Sequence, residues 1–154
     1  MNEFLASLPP YLKYVAVAWV PWIELRGAVP MAVGFGERAY LPLVLLANLA
    51  IYWPGYYFLQ LVYHRIPEGT WLHRKLESVR AKAHTLVEKY GVLGLAVFVA
   101  IPLPGTGAYA GTAAAWLLGM DKRKGFLAVS LGVVGAFLIV WAAAELFGFG
   151  VSQL

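Results

Sequence analysis

The sequence contains no cysteine, only three histidines, and few charged residues. The absence of cysteine excludes disulfides, thiolate metal sites and thiol redox chemistry. The histidines lie in one basic stretch, at His64, His73 and His84, without the spacing of a zinc site. We therefore expect no metal and no other cofactor. Charged residues make up 13% of the chain, against about 25% in soluble domains, which is too little to cover a surface that faces water.

Apolar residues dominate instead, because 61% of the 154 residues are hydrophobic. This composition predicts one all-α integral membrane domain over residues 1–154, with several crossings of the cell membrane. A helix needs roughly 20 apolar residues to cross a bilayer. Four stretches are long enough: 11–35, 40–63, 90–120 and 126–147. The second and fourth are typical of ordinary spanning helices.

The first and third stretches are interrupted near their middles. The first contains VPWIELRGAVP and the third contains PLPGTG. Proline removes a backbone donor and glycine weakens a helix, so each stretch predicts two half-helices, the second halves starting near Gly27 and Gly107. Such a segment either crosses the membrane as a broken helix or returns to the same side as a re-entrant hairpin.

The distribution of basic residues favours the hairpins. If all four stretches cross, the loops 64–89 and 121–124 lie on opposite sides of the membrane. If the first and third stretches are re-entrant, both loops share one side, and only Lys13 and Arg38 lie near the other. Basic residues gather on the cytoplasmic side, so we expect both termini outside and both loops in the cytoplasm. These loops contain Arg65, Arg74, Lys75, Arg80, Lys82, Lys89, Lys122, Arg123 and Lys124.

The chain also resembles a duplicated unit. Aligning Gly27 with Gly107 places a short polar link and a spanning helix after each break. Repeat 1 then covers about residues 11–63 and repeat 2 about 90–147, and the single span between them makes the repeat inverted, as in secondary transporters. Between the repeats, about residues 68–89 predict an amphipathic helix on the cytoplasmic leaflet. This helix is either a connector or a binding surface for a lipid or a partner.

Glu24 and Arg26 are the most informative pair in the sequence. A charge at the bilayer centre costs about 2.5 to 3.5 kcal/mol, so both side chains are expected to face protein or water. One interpretation is structural: the two charges neutralise each other, or Arg26 binds free carbonyl groups at the break. The other is a transport site, in which Arg26 and the backbone donors at the half-helix starts hold an anion. Glu24 would then carry a proton.

The expected substrate-binding residues combine both breaks. The second break is also explained by a tight turn followed by small residues that permit close helix packing. No arrangement of catalytic residues and no nucleotide-binding loop is present, so we expect neither an enzyme nor a nucleic-acid-binding protein. The candidate binding residues are Arg26, Gly27, Pro30, Pro104, Gly105, Thr106 and Gly107.

The motifs ELRGAVPMAVGFG and PLPGTGAYAGTAAAWLLG resemble the small multidrug export protein family, a relative of the DedA (VTT, SNARE-associated) membrane superfamily. The resemblance extends from about residue 12 to residue 145. It implies two opposed re-entrant loops, with Glu24 and Arg26 as the functional pair and residues 104–107 as the second tip. It also implies movement of phospholipids or polyprenyl phosphates, with proton coupling. This chain has only Thr106 at the second tip, where DedA-type proteins carry further charges.

The sequence therefore predicts a small proton-coupled transporter of an anionic substrate of the lipid-phosphate type. One alternative is an exporter of hydrophobic cationic drugs, with Glu24 as counter-ion and aromatic side chains as a cage. Another is a membrane scaffold that transports nothing. The expected partners are membrane lipids, the anionic lipid or small amphipathic substrate, and a second copy, because a homodimer would shield the broken backbone from lipid.

Overall fold

The computed structural model describes residues 8–103 and 105–151 of the chain. The described residues form helices and turns and no strand, which confirms the all-α prediction. We number the α-helices α1 to α7, and two short 3₁₀ turns lie at Arg38–Tyr40 and Tyr63–Arg65. The α-helices are α1 (Pro10–Trp19), α2 (Glu24–Gly34), α3 (Leu41–Leu49), α4 (Tyr52–Val62), α5 (Trp71–Ala100), α6 (Ala108–Leu117) and α7 (Lys122–Val151).

Three helical stretches in the described part of the chain are long and apolar enough to cross a membrane. They are Arg38–Arg65, Trp71–Ala100 and Lys122–Gly148. The first and last correspond to the predicted stretches 40–63 and 126–147. In the first, α3 and α4 are separated only by Ala50 and Ile51, which keep helical dihedral angles. Pro54 explains this separation, because it has no N–H to donate to the carbonyl group of Ala50.

The second of these stretches, α5, is sharply bent. Gly91 has φ 57° and ψ −126°, a conformation essentially restricted to glycine. A Cβ atom on Gly94 would overlap the carbonyl group of Leu86, so the segment after the bend folds back against the segment before it. The bend falls at the predicted boundary between the amphipathic helix and the second broken stretch.

The first break lies earlier in the chain than expected. The sequence predicted a half-helix that starts near Gly27, but α2 starts at Glu24 and runs through Gly27 and Pro30. Instead, α1 ends at Trp19 and the turn occupies residues 20–23. Pro21 accounts for the difference, because it disfavours helical geometry at Val20, which is extended. The second break agrees with the prediction, because α6 starts at Ala108.

Helix α6 lies at the centre of the molecule. It contacts α4, α5 and α7, and its small residues are almost entirely buried. A Cβ atom on Gly111 would meet Val99 of α5 and Val129 of α7, so glycine is required for this close approach. The packing interpretation of the small residues therefore applies to the body of α6. It leaves the start of α6 to be explained.

Polar contacts join elements at both ends of the spanning helices. At one end, Lys13 and Glu37 form an ion pair of 3.4 Å, and Arg38 binds Glu145 through two hydrogen bonds of 2.7 and 2.8 Å. At the other end, the Lys122 ammonium lies 5.5 Å from the centroid of the Tyr57 ring. The α3–α4 span and α7 are therefore antiparallel.

Glu37 lies before the first span, where it accepts a hydrogen bond from Tyr14. This bond and the Lys13 ammonium hold the pKa of the Glu37 carboxyl below its ordinary value.

Candidate functional site

The Glu24 carboxylate lies at the start of α6. It accepts hydrogen bonds from the backbone N–H groups of Ala108, at 3.0 Å, and Tyr109, at 3.2 Å. These are unpaired donors at a helix N-terminus, which carries about half a positive charge and favours an anion. Only 3% of Glu24 is exposed. The carboxylate of one break thus caps the half-helix that begins at the other break.

Arg26 joins the same two breaks. Its Nη1 donates to Glu24 Oε2 at 3.1 Å, and its Nη2 donates to the Ile101 carbonyl and to the Thr106 hydroxyl, both at 3.1 Å. Its Nε atom is buried without a hydrogen-bond partner. Ile101 lies just beyond the end of α5, where carbonyl groups have no helical partner. Arg26 therefore donates hydrogen bonds both to a backbone carbonyl group at the second break and to the Glu24 carboxylate.

The turn that holds Glu24 has an unusual backbone conformation. Trp22 and Glu24 have φ values of 73° and 48°, in the left-handed region that non-glycine residues seldom adopt. Such residues cost about 1 to 3 kcal/mol each, and they concentrate at functional sites. The turn between α1 and α2 is therefore strained where it presents the Glu24 carboxylate.

Gly107 makes the close approach of the two breaks possible. It is the residue before α6, and a Cβ atom there would overlap Glu24 Oε2 and crowd Arg26 Nη1. Any other residue would separate the carboxylate from its backbone donors. The requirement for glycine at this position follows from the ion pair and not from the turn alone.

A cavity of about 300 Å³ adjoins this group. Its walls are mostly apolar and aromatic, and α5 closes one side of it. Three charged residues line it: Glu24, Arg26 and Lys75. The apolar walls and the aromatic rings come from Pro21, Trp22, Trp71, Leu72, Leu76, Val79, Tyr109, Ala110 and Ala113.

The structure brings together most of the residues predicted for the site. Glu24, Arg26, Gly105 and Gly107 line the cavity, and Thr106 is buried against Arg26. Gly27 and Pro30 lie on α2, and neither is among the cavity-lining residues. Pro104 lies outside the described residues.

The structure adds a contact at the start of α6 that the sequence did not predict. The backbone donors after Gly107 were expected to hold the substrate, and in this conformation they bind Glu24. The physical reason is that a buried carboxylate needs donors of its own.

Sequence reasoning missed the contribution of α5. Lys75 was counted only as a cytoplasmic charge, and Trp22 and Trp71 were not assigned to the site. In the structure, the rings of Trp22 and Trp71 meet edge to face at 5.9 Å. The spacing of Trp71, Lys75 and Val79 by one helical turn could have indicated a common face, but nothing in the sequence identifies what that face covers.

The model of one protein family matches residues 24–139, from the carboxylate at the first break to the middle of α7. The family is described as "Putative small multi-drug export protein". The chain belongs to this family. Glu24, Arg26 and the start of α6 all fall inside the matched range, and the description names a transporter and no enzyme class. With the three apolar helices, the family identifies a membrane protein. No curated protein and no solved structure matches the chain.

Proposed function

We propose that this protein is a transporter that moves an anionic amphipathic substrate of the lipid-phosphate type through the cavity at Glu24 and Arg26, coupled to protons. The observation that carries the proposal is the cavity itself. It combines apolar walls, which suit acyl or prenyl chains, with two cationic side chains and one carboxylate that is already neutralised. The remaining positive charge favours an anionic headgroup over a cationic one.

The proposal rests on two re-entrant hairpins. The ion pair between Lys13 and Glu37 supports the first hairpin. These residues are separated by α1 and α2, and two collinear half-helices would hold them roughly 30 Å apart. The position of Lys122 beside Tyr57 supports the second hairpin, because it brings the 121–124 loop to the end of the first span from which the basic segment 64–89 continues. All nine basic residues of the two loops would then lie on the cytoplasmic side of the membrane.

Proton coupling follows from competition for the same donors. In the structure the Glu24 carboxylate binds two backbone N–H groups and Arg26. Protonation of Glu24 would remove its negative charge and release these donors to the substrate anion. Deprotonation would restore the internal contacts and expel the substrate. A low pH on one side of the membrane would therefore favour loading on that side.

A lipid-flipping assay in proteoliposomes tests the proposal. Phosphatidic acid with a nitrobenzoxadiazole label is added to vesicles, and dithionite reports the fraction on each leaflet. We expect the wild-type protein to accelerate movement of the label, and Arg26→Ala to abolish it while the protein remains folded. Arg38→Ala is the matched control, because it removes an arginine ion pair outside the cavity. Equal rates for Arg26→Ala and wild type would refute the assignment.

The second candidate is an exporter of hydrophobic cations. The family description and the paired rings of Trp22 and Trp71 favour it, because aromatic faces attract cations. Efflux of ethidium from the same vesicles separates the two functions. Ethidium efflux that depends on Glu24, without movement of phosphatidic acid, would support the cation exporter and contradict the lipid-phosphate transporter.

A further inference from the structure

We propose that Lys75 selects the substrate by the charge of its headgroup, so that α5 is part of the binding site and not only a connector. The inference rests on the proposed function, because it names the residue that makes the same cavity specific for anions. It assigns the role to a helix that the sequence places between the two repeats.

Lys75 differs from the other basic residues of its helix in burial. Arg74, Arg80, Lys82 and Lys89 are exposed, whereas Lys75 is partly buried and lines the cavity. The same face of α5 contributes Leu76 and Val79, which are 7% and 6% exposed. The packing of Leu76 and Val79 fixes the rotation of α5 about its axis, so that Lys75 lies beside the cavity.

The Lys75 ammonium lies between the two hairpin tips. It is 5.8 Å from the centroid of the Trp22 ring, at the first tip, and 3.9 Å from the place where a Cβ atom on Gly105 would lie, at the second. The ammonium is therefore close to both tips. Lys75 thus lines the same cavity as Glu24 and Arg26.

The charges of the cavity leave Lys75 without an internal counter-ion. Glu24 binds Arg26 and the start of α6, and among the described residues no carboxylate forms an ion pair with Lys75. A partly buried ammonium gains from an anion that brings its own negative charge. A phosphate headgroup between Lys75 and Arg26 would provide it, with the acyl chain along the apolar wall. A quaternary ammonium headgroup would be repelled at the same position.

Three matched amphipaths test this inference without requiring transport. Dodecyl phosphate, dodecylphosphocholine and dodecyltrimethylammonium have the same chain and differ in headgroup charge. Binding to the full-length protein in phosphatidylcholine nanodiscs is followed by tryptophan fluorescence, since Trp22 and Trp71 line the cavity. We expect the wild-type protein to bind dodecyl phosphate most tightly.

The expected effect of Lys75→Gln is about tenfold weaker binding of dodecyl phosphate, the size of one charge-assisted contact. Binding of dodecylphosphocholine should be unchanged, and Lys75→Arg should restore the preference for the anion. Lys82→Gln is the matched control, because it removes an exposed lysine from the same helix and corrects for attraction at the membrane surface. An unchanged preference in Lys75→Gln, or an equal loss in Lys82→Gln, would overturn the inference.

The inference and the proposed function fail in different ways. If Arg26→Ala abolishes lipid movement while Lys75→Gln retains the anion preference, the transporter stands and the role of Lys75 is refuted. If the wild-type protein moves no lipid but Lys75→Gln loses the anion preference, the binding site stands and transport is refuted. Thermal unfolding of each variant shows that a loss of binding is not a loss of folding.

Discussion

At the scale of single residues, Glu24 is held by more donors than an exposed carboxylate would need. Two backbone N–H groups and one guanidinium bind it, and its own backbone is in the left-handed region. A buried charge without partners is strongly disfavoured, so the three contacts explain how the carboxylate is tolerated. They also create an anion site that is occupied by the protein itself.

The first prediction concerns Glu24→Gln. The amide has no negative charge, so Arg26 loses its ion-pair partner. It also has one acceptor oxygen, whereas the carboxylate has two. Without ligand we expect the free energy of unfolding to fall by about 1 to 3 kcal/mol, measured by thermal unfolding in detergent. Dodecyl phosphate should then stabilise Glu24→Gln more than the wild-type protein, because donors that the second carboxylate oxygen occupied become available to the phosphate.

The same variant tests the competition between proton and anion. Relative to Glu24→Gln, which has no charge at residue 24, the wild-type protein should bind dodecyl phosphate progressively better as the pH falls. The control is Glu145→Gln, because this carboxylate binds Arg38 outside the cavity. Because the phosphate itself has a second pKa of about 6, the two proteins are compared at each pH, and an identical pH dependence in the wild type and Glu24→Gln would contradict the proposed coupling.

The second prediction concerns Gly107→Ala. The added methyl group would overlap the Glu24 carboxylate, and overpacking of this kind costs typically about 1 to 3 kcal/mol. We expect a lower unfolding temperature together with a loss of lipid movement. Gly34→Ala is the matched control, since a Cβ atom there meets nothing within 4 Å. Equal stability of Gly107→Ala and Gly34→Ala would show that the two tips are not in contact.

At the scale of elements, α5 combines two tasks in one stretch of chain. The segment before Gly91 covers the cavity with an amphipathic face, and the segment after it leads into the second tip. Gly91 sets the angle between the two segments. The position of Lys75 over the cavity therefore depends on a backbone conformation sixteen residues away in the sequence.

The third prediction concerns this bend. Gly91→Ala places a side chain at φ 57° and ψ −126°, which costs about 1 to 3 kcal/mol of strain. We expect lower thermal stability and weaker binding of dodecyl phosphate, because the cover over the cavity shifts. Thr85→Ala, at an exposed position of the same helix, should change stability by less than about 0.5 kcal/mol. Full anion affinity in Gly91→Ala would disprove the link between the bend and the cavity.

The sequence predicted the helical class, the spans around α3–α4 and α7, and a half-helix that starts after Gly107. These features depend on local signals: hydropathy, proline and glycine. The first break lies earlier than predicted because Pro21 disfavours helical geometry at Val20, whereas Gly27 and Pro30 are accommodated within α2. The position of Lys75 in the cavity could not be predicted from the sequence, because it depends on how the amphipathic part of α5 packs against two turns that are far away in the sequence.

At the scale of the whole molecule, two breaks that are about 80 residues apart in the sequence share one group of charges. If the two broken segments are re-entrant, as proposed, this group lies where they meet, and the neighbouring helices shield their unpaired backbone groups from lipid. The transport site, the competition between proton and anion, and the role of Lys75 all depend on this arrangement.

The arrangement is tested most directly by the sidedness of three positions. The chain has no cysteine, so Glu37→Cys, Lys82→Cys and Lys122→Cys each introduce a single thiol for a membrane-impermeant maleimide. Two re-entrant hairpins predict labelling of Glu37→Cys in intact cells, and of Lys82→Cys and Lys122→Cys only after permeabilisation. Labelling of Lys82→Cys and Lys122→Cys from opposite sides of the membrane would contradict the account.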